Sequence, residues 1–502
     1  MQKLLRMILT SKVYEAAIET PLEESPVLSR QLGNRVLLKR EDLQPVFSFK
    51  LRGAYNRIAH LSADERSRGV ITASAGNHAQ GVAFSGRRLG ITTTIVMPVT
   101  TPAIKVAAVR SFDAEVVLHG DNYSEAAEYC AELAASSGKI FIPPFDDELV
   151  IAGQGTVADE LLRQTSGNMD AVFVPVGGGG LLAGVAAFVK ALRPEIRVIG
   201  VEPVDSDAMA RSLEAGRRVR LESVGIFADG VAVREVGRLT FSLCRQLVDE
   251  IVRVDVDEIC SGIKSVYQAT RTIVEPAGAL ALAGLKKYVR ERGVTGQTLV
   301  AINSGANMNF ERLRYVAERT MIGEKQEALF AVTIPEKPGS LRRFCNELVG
   351  ERNITEFNYR LAGRESAHIF VGIAISGAEQ RYAFMEELAR AGFNSIDLTD
   401  DELAKTHVRY MVGGRSSGVA NERLFRFWFP ERPGALARFL GAVGADWNIS
   451  LFHYRMQGGD FGRVLVGLEI PGDSEEELVK VLGGIGYRYV EETKNQAYRL
   501  FL

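Results

Sequence analysis

Cysteine is scarce in this chain: four in 502 residues, Cys130, Cys244, Cys260 and Cys345, with no CxxC pair and no regular spacing. That scatter excludes a disulfide framework and a thiolate zinc site, and it fits a reducing compartment. The six histidines form no HExxH or HxxxH pattern, so they suggest no metal centre. Long apolar runs are missing too; none approaches the roughly 18 residues of a membrane helix. The first residues, MQKLLRMILTSKVYEAAIE, break their short apolar run at Arg6 and Lys12 and lack the core of a secretory signal. Excess charge of either sign is absent, with 60 Lys and Arg against 62 Asp and Glu. A formal net charge of -2 leaves no electrostatic footprint for nucleic acid or an anionic membrane. The expectation is a soluble cytoplasmic protein of roughly two to four domains.

Glycine is plentiful, at 49 residues, which suggests tight turns and backbone-lined sites. From about residue 30 to 310, short β-branched runs alternate with longer helical stretches. VLLKRE (36–41), TTTIVMP (92–98), AEVVLHG (114–120), AVFVPVGG (171–178) and VIGVEP (198–203) read as strands. AGNHAQGVAFSGRRLG, TPAIKVAAVRSF and LLAGVAAFVKALR lie between them with helical spacing. This rhythm predicts βαβ units and mostly parallel sheets, with ligands at the carboxyl ends of the strands.

Beyond residue 320 an internal repeat takes over. LFAVTIPEKPGSLRRF from Leu329 matches LFRFWFPERPGALARF from Leu424, with Pro335 on Pro430, Glu336 on Glu431, and Pro338-Gly339 on Pro433-Gly434. NITEFNYR (353–360) matches NISLFHYR (448–455), and VGIAI (371–375) matches VGLEI (466–470), always 95 residues apart. One register held over five blocks marks a duplication. Each copy reads as a small βαββ module.

Five segments carry candidate chemistry. In AVFVPVGGGGLLAGVAAF an apolar strand runs into Gly177-Gly178-Gly179-Gly180 and then a helix from about Leu181. Backbone N–H groups gathered by glycines at a helix start can hold a phosphate. A nucleotide is not indicated, since there is no GxxxxGK[ST] and no GxGxxG with a ribose-binding acid. ITASAGNHAQG (71–81) places Ser74, Gly76 and Asn77 at a helix start, where Asn77 fits a cap or a ligand group equally. VAINSGANMNF (300–310) ends a strand in a turn of small polar residues. In VEPAGALALAGL (274–285), Glu275 reads as an anion at a helix terminus and not as a catalyst. SFKLRGAYN (48–56) sets Lys50 at the head of a helix, where a lysine is ordinarily a solvated cation.

The order of these motifs changes their weight. SFKLRGAYN, SAGNHAQGVA, GGGGL and SGAN together resemble the fold-type II pyridoxal-phosphate enzymes, and within them the threonine dehydratase branch. The likeness covers roughly residues 12 to 320. The duplicated C-terminal half is similar to the paired ACT-like regulatory modules of biosynthetic threonine dehydratases. The resemblance implies an α/β catalytic domain over 1–320, made of two subdomains with mostly parallel sheets, and α+β ACT-like modules over 327–398 and 422–494.

It also implies roles. Lys50 would bond the aldehyde of pyridoxal 5'-phosphate, because only a primary amine makes a link that an amino-acid substrate can displace. Once released, Lys50 would take the substrate's α-proton, with burial beside Phe49 lowering its basicity. Phe49 would line the cofactor pocket, Gly177, Gly178, Gly179, Gly180 and Leu181 would hold the cofactor phosphate, Asn77 its 3′ oxygen and Ser304 its pyridine nitrogen. The backbone of Ser74, Ala75, Gly76, Asn77 and His78 would receive the substrate carboxylate. The implied reaction converts L-threonine to 2-oxobutanoate and ammonia, in a homotetramer inhibited by isoleucine and opposed by valine. Tyr359 and Tyr454 are the candidates for the effector sites, although an aromatic at strand spacing also suits a core. A cation loop known in serine racemase-like relatives has a counterpart in VEPVDSDAM (201–209). Its second acidic position is Ala208 here, with Asp207 one place early, so no metal is expected. The rival readings are a serine dehydratase or racemase on the same lysine, and an amino-acid sensor that has lost the chemistry.

Overall fold

The apolar runs of the first 310 residues become strands of two sheets in the computed structural model. It describes the chain except residues 1, 166, 338, 351, 362–364, 412, 414–415, 417–418, 420, 431–434, 444–446, 456–460, 471–474, 496–497 and 499–502. The chain divides into Met1–Gly323 and Glu324–Leu502. In the first unit a six-stranded sheet runs in the order β1 (Leu22–Glu24), β2 (Arg35–Arg40), β10 (Thr298–Asn303), β7 (Ala171–Pro175), β8 (Arg197–Pro203), β9 (Glu250–Val254). Only the β1 edge pairs antiparallel. Alternation decides which helices cover each face. Leu37, Val172, Val174, Val300 and Ile302 pack in one core, and Val36, Leu38, Phe173, Leu299 and Ala301 in the other. A sheet buried on both sides demands such uninterrupted apolar strands.

A second, wholly parallel sheet orders β5 (Glu115–Leu118), β4 (Thr93–Met97), β3 (Val70–Ala73), β6 (Ile140–Phe141). Between the two sheets lie the helices Lys50–Ala59 and Glu148–Gln164. The first buries Leu51, Ala54, Tyr55 and Ile58, the i, i+3, i+4, i+7 stripe of an amphipathic helix. The two helices meet through glycines: a Cβ on Gly153 would lie 2.6 Å from the Arg52 carbonyl oxygen and 2.7 Å from Gly53 Cα.

The second unit is one eight-stranded antiparallel sheet in the order β14 (Asn394–Asp397), β11 (Glu327–Pro335), β13 (Ser366–Ala374), β12 (Ile354–Arg360), β16 (Asn448–Arg455), β17 (Phe461–Glu469), β15 (Glu422–Pro430), β18 (Tyr489–Glu491). Each repeat is longer than the βαββ reading. A helix (Ala378–Arg390, Glu475–Ile485) and a fourth strand complete each as βαββαβ. The Pro-Gly turns fall partly outside the described residues, at Pro338 and at Glu431, Pro433 and Gly434. The repeats join through equivalent strands: Phe357 faces Tyr454, Tyr359 faces Phe452, and Asn358 faces its own repeat partner His453. A local two-fold axis therefore passes between β12 and β16.

Candidate active site

Lys50 opens its helix behind a strained turn. Phe47, a non-glycine residue, holds φ at 55°, a conformation that costs energy and clusters at functional sites. The turn is tied to the end of β10: Phe49 N–H donates to the Ser304 carbonyl at 3.1 Å, and Ala306 N–H to the Phe47 carbonyl at 2.9 Å. Thus SFKLRG and SGAN, 254 residues apart at Lys50 and Ser304, form one surface. Lys50 Nζ donates to the Pro144 carbonyl at 3.0 Å and lies 5.4 Å from the Phe49 ring centre. It keeps some exposure, yet the protein around it pushes its pKa down to about 8, with Glu275 opposing.

Beside Pro144, Phe145 packs on the glycine turn. A Cβ on Gly178 would lie 2.2 Å from the Phe145 ring, and one on Gly177 3.1 Å from Val231 Cα. Gly179 adopts φ +94°, and a Cβ there would meet Met209 at 2.6 Å. The turn ends at the helix Gly180–Leu192, whose first N–H groups have no intrahelical partner. Thr240 Oγ1 donates to the Gly178 carbonyl at 2.7 Å and secures the turn from the far side.

The third wall is the start of the helix Asn77–Leu89. Asn77 Nδ2 donates to Glu275 Oε1 at 2.6 Å, and Asn307 Nδ2 donates to Asn77 Oδ1 at 2.8 Å. Ser304 Oγ donates to the Ala277 carbonyl at 3.1 Å. Ser74 N–H is spent on Val96, and Gly76 N–H on Ser74 Oγ. Position 76 has open space around it. His78 turns away to donate from Nε2 to the Ile142 carbonyl at 2.9 Å; its burial, with Lys50 adding, lowers its pKa to about 3. It is neutral, and its side chain is structural.

Sequence reasoning missed three contributors. The Pro144-Phe145 pair carried no motif, Asn307 closed the SGAN motif without a role of its own, and Glu275 read as a helix anion. Glu275 does precede the helix Pro276–Arg292, but makes no side-chain cap bond to it and points at Asn77 instead. In the 201–209 loop, Glu202 accepts from the N–H groups of Met209 and Ala210, while Asp207 pairs with Arg211 and Arg253. Among the described residues no group of three or more His, Cys, Asp or Glu could hold a metal ion.

Residues 13–305 match the family model of the pyridoxal-phosphate dependent enzymes. Residues 318–408 and 413–502 each match that of the C-terminal regulatory domain of threonine dehydratase. The L-threonine dehydratase biosynthetic IlvA of Burkholderia multivorans is 58% identical over 501 residues, 99% of each chain. The chain belongs to the biosynthetic threonine dehydratases. The Escherichia coli member is 54% identical over 99% of this chain and 96% of its own. Among solved structures, processed threonine deaminase isoform 2 of Solanum lycopersicum superposes with TM-score 0.63 at 51% identity, covering 63% of this chain and 87% of that one. Maize serine racemase gives TM-score 0.58 at 32% identity, over 64% and 97%. The dehydratase family uses pyridoxal phosphate, and the residues fit it: a turn that admits no Cβ, a helix start for an anion, and a lysine amine made less basic by burial.

The dehydratase's regulatory half carries two clefts, each built from both repeats. Cys345, Arg352 and Asn353 of the first repeat face Phe429, Leu436 and Tyr454 of the second across one cleft. Across the other, Glu336, Leu341 and Tyr359 face Leu440, Trp447 and Ile449. Tyr359 is buried and donates to Glu336 Oε1 at 2.8 Å, while Glu336 Oε2 is buried with no partner. Burial raises the pKa of Glu336, with the Tyr359 bond opposing.

Proposed function

We propose that this chain dehydrates and deaminates L-threonine to 2-oxobutanoate and ammonia, the first step toward isoleucine. The observation carrying the reading is that Lys50 and the four-glycine turn share one loop, Pro144-Phe145. The N–H groups of Gly177 to Leu181 would hold the cofactor phosphate, Asn77 its 3′ oxygen, and Ser304, whose hydroxyl donates to the Ala277 carbonyl, its ring nitrogen. When bound, pyridoxal phosphate supplies a ring that stabilises negative charge at the substrate's α-carbon. The segment from Ser74 to His78 would receive the substrate carboxylate at Ala75, Asn77 and His78, the Ser74 and Gly76 N–H groups being engaged by the Val96 carbonyl and Ser74 Oγ. Lys50 Nζ, whose pKa burial lowers to about 8, would take the α-proton as the neutral amine.

Residues 1–320 form the catalytic part, and modules 327–398 and 422–494 form the control. Isoleucine inhibits and valine opposes, each bound beside Tyr359 or Tyr454 in a homotetramer. The unpartnered oxygen of Glu336 suits an amino acid's ammonium group. Purified protein supplied with pyridoxal phosphate and threonine releases 2-oxobutanoate, and kcat/KM for threonine exceeds that for serine. Lys50→Ala keeps the fold, loses the visible cofactor band that borohydride bleaches, and lowers activity at least about a thousandfold. A coloured, active Lys50→Ala protein would remove the assignment.

A further inference from the structure

Glu275 is built into the site at some structural expense. It is 4% exposed, and it leaves its own helix without a side-chain cap, a role that polar residues in this position ordinarily fill. Space is reserved for it at Gly305, where a Cβ would stand 2.5 Å from Glu275 Oε1. Its backbone N–H is fixed to the Gly305 carbonyl at 3.2 Å. Asp229 on the Gly230 turn, Lys105, Arg312 and Lys50 are the charged groups around it. Lys105 and Arg312 both pair with Asp229, at 2.7 and 3.4 Å. Burial raises the pKa of Glu275 to about 7, with Asp229 adding and Asn77 opposing.

An asparagine amide at a cofactor can face it with either end, and the wrong end presents an oxygen to an oxygen. Here both ends are assigned by neighbours. Asn307 spends one N–H on the Val46 carbonyl and the other on Asn77 Oδ1. The Glu275 carboxylate can only accept while ionised, so it holds Asn77 Nδ2 on its own side. One hydrogen of Nδ2 remains.

We propose that Glu275 is a positioning residue: with Asn307 it locks the Asn77 amide so that an N–H, and not the carbonyl oxygen, is offered to the cofactor's phenolic oxygen. The proposal rests on the reading that Asn77 faces that oxygen. The test is titration of full-length apoprotein with pyridoxal phosphate, reading Kd and the position of the bound absorption band. Glu275→Met removes the acceptor, and Kd rises about tenfold or more, as for the loss of a hydrogen bond to a charged group. Glu275→Gln keeps an acceptor without charge and stays within about threefold. The double variant N77A/E275M binds no more weakly than N77A alone, because the two residues act as one unit. If N77A weakens binding and E275M adds its full factor on top, Asn77 keeps its role and the Glu275 proposal falls. If N77A leaves Kd unchanged, both fall. A loss in E275Q equal to that in E275M would assign the effect to charge and overturn the orienting role.

Discussion

At the scale of single residues, burial does to Lys50 what catalysis needs. An ordinary lysine is almost wholly protonated near neutrality and cannot attack an aldehyde. Around Lys50 the low-dielectric surroundings favour the neutral amine, and the nearby Glu275 only partly offsets them, leaving a pKa of about 8. His78 carries no charge to blur this titration, since its pKa is lowered to about 3. The neutral fraction of such an amine grows about tenfold between pH 7 and pH 9 and is nearly complete at the upper end. The rate at which apoprotein captures pyridoxal phosphate should follow that curve, with a midpoint near 8 and a plateau above it. Stopped-flow absorbance across this range reads it directly. A rate still rising tenfold per pH unit at pH 9 would mean that Lys50 keeps an ordinary lysine's basicity.

At the scale of elements, the helix carrying Lys50 is placed by charge as well as by its apolar stripe. Two residues along, Arg52 is fully buried. It donates to both oxygens of Glu41 at 2.7 Å and to Glu160 at 2.6 Å, while Lys39 meets Glu160 at 2.5 Å. Two cations and two carboxylates balance across β2, the Lys50 helix and the helix Glu148–Gln164. Burial pushes the pKa of Glu160 up, and Arg52 and Lys39 outweigh it and hold it down. Arg52→Met strands two buried carboxylates on one lysine. The expected loss is about 3–5 kcal/mol, or roughly 4–7 °C in the melting temperature of the catalytic unit. Calorimetry on full-length protein checks it, and an unchanged transition would show that the network does not hold the helix. None of this could be read from RG beside a lysine.

What was legible in the sequence shares one property: local periodicity or fixed order. Apolar runs such as AVFVP and RVIGVEP became central strands, and the 95-residue register became two modules. The short β6, Ile140–Phe141, offers too few residues for a pattern, and β9, EIVRV, carries two charges among its five. The second helix and last strand of each module lie beyond the matched blocks, where the repeats have diverged. Glu275 and Asn307 escaped because the direction of a side chain is settled by tertiary contacts. A carboxylate before Pro276 reads as a cap until Asn77 is brought within 2.6 Å of it.

At the scale of the whole molecule, duplication explains the form of the control unit. The pairing of β12 with β16 turns two copies of one module into a continuous sheet and places two clefts about a local two-fold axis. Since each cleft takes one wall from each module, an amino acid bound there bridges both, and its binding free energy adds to the stability of the unit. The clefts have nevertheless drifted apart chemically: Arg352 in one occupies the repeat position held by Trp447 in the other. Two such sites should bind isoleucine unequally. Tyr359→Phe removes the hydroxyl that engages Glu336 and leaves that carboxylate with neither oxygen partnered, so it acts on the Trp447 cleft alone. Tyr454→Phe acts on the Arg352 cleft. Each single variant should weaken one class of isoleucine site by about tenfold, the scale of one lost polar contact, and leave the second class in place. Equilibrium dialysis separates the classes. If either substitution weakens both classes equally, the clefts do not act as separate sites, and the effector must be read by the module pair as a whole.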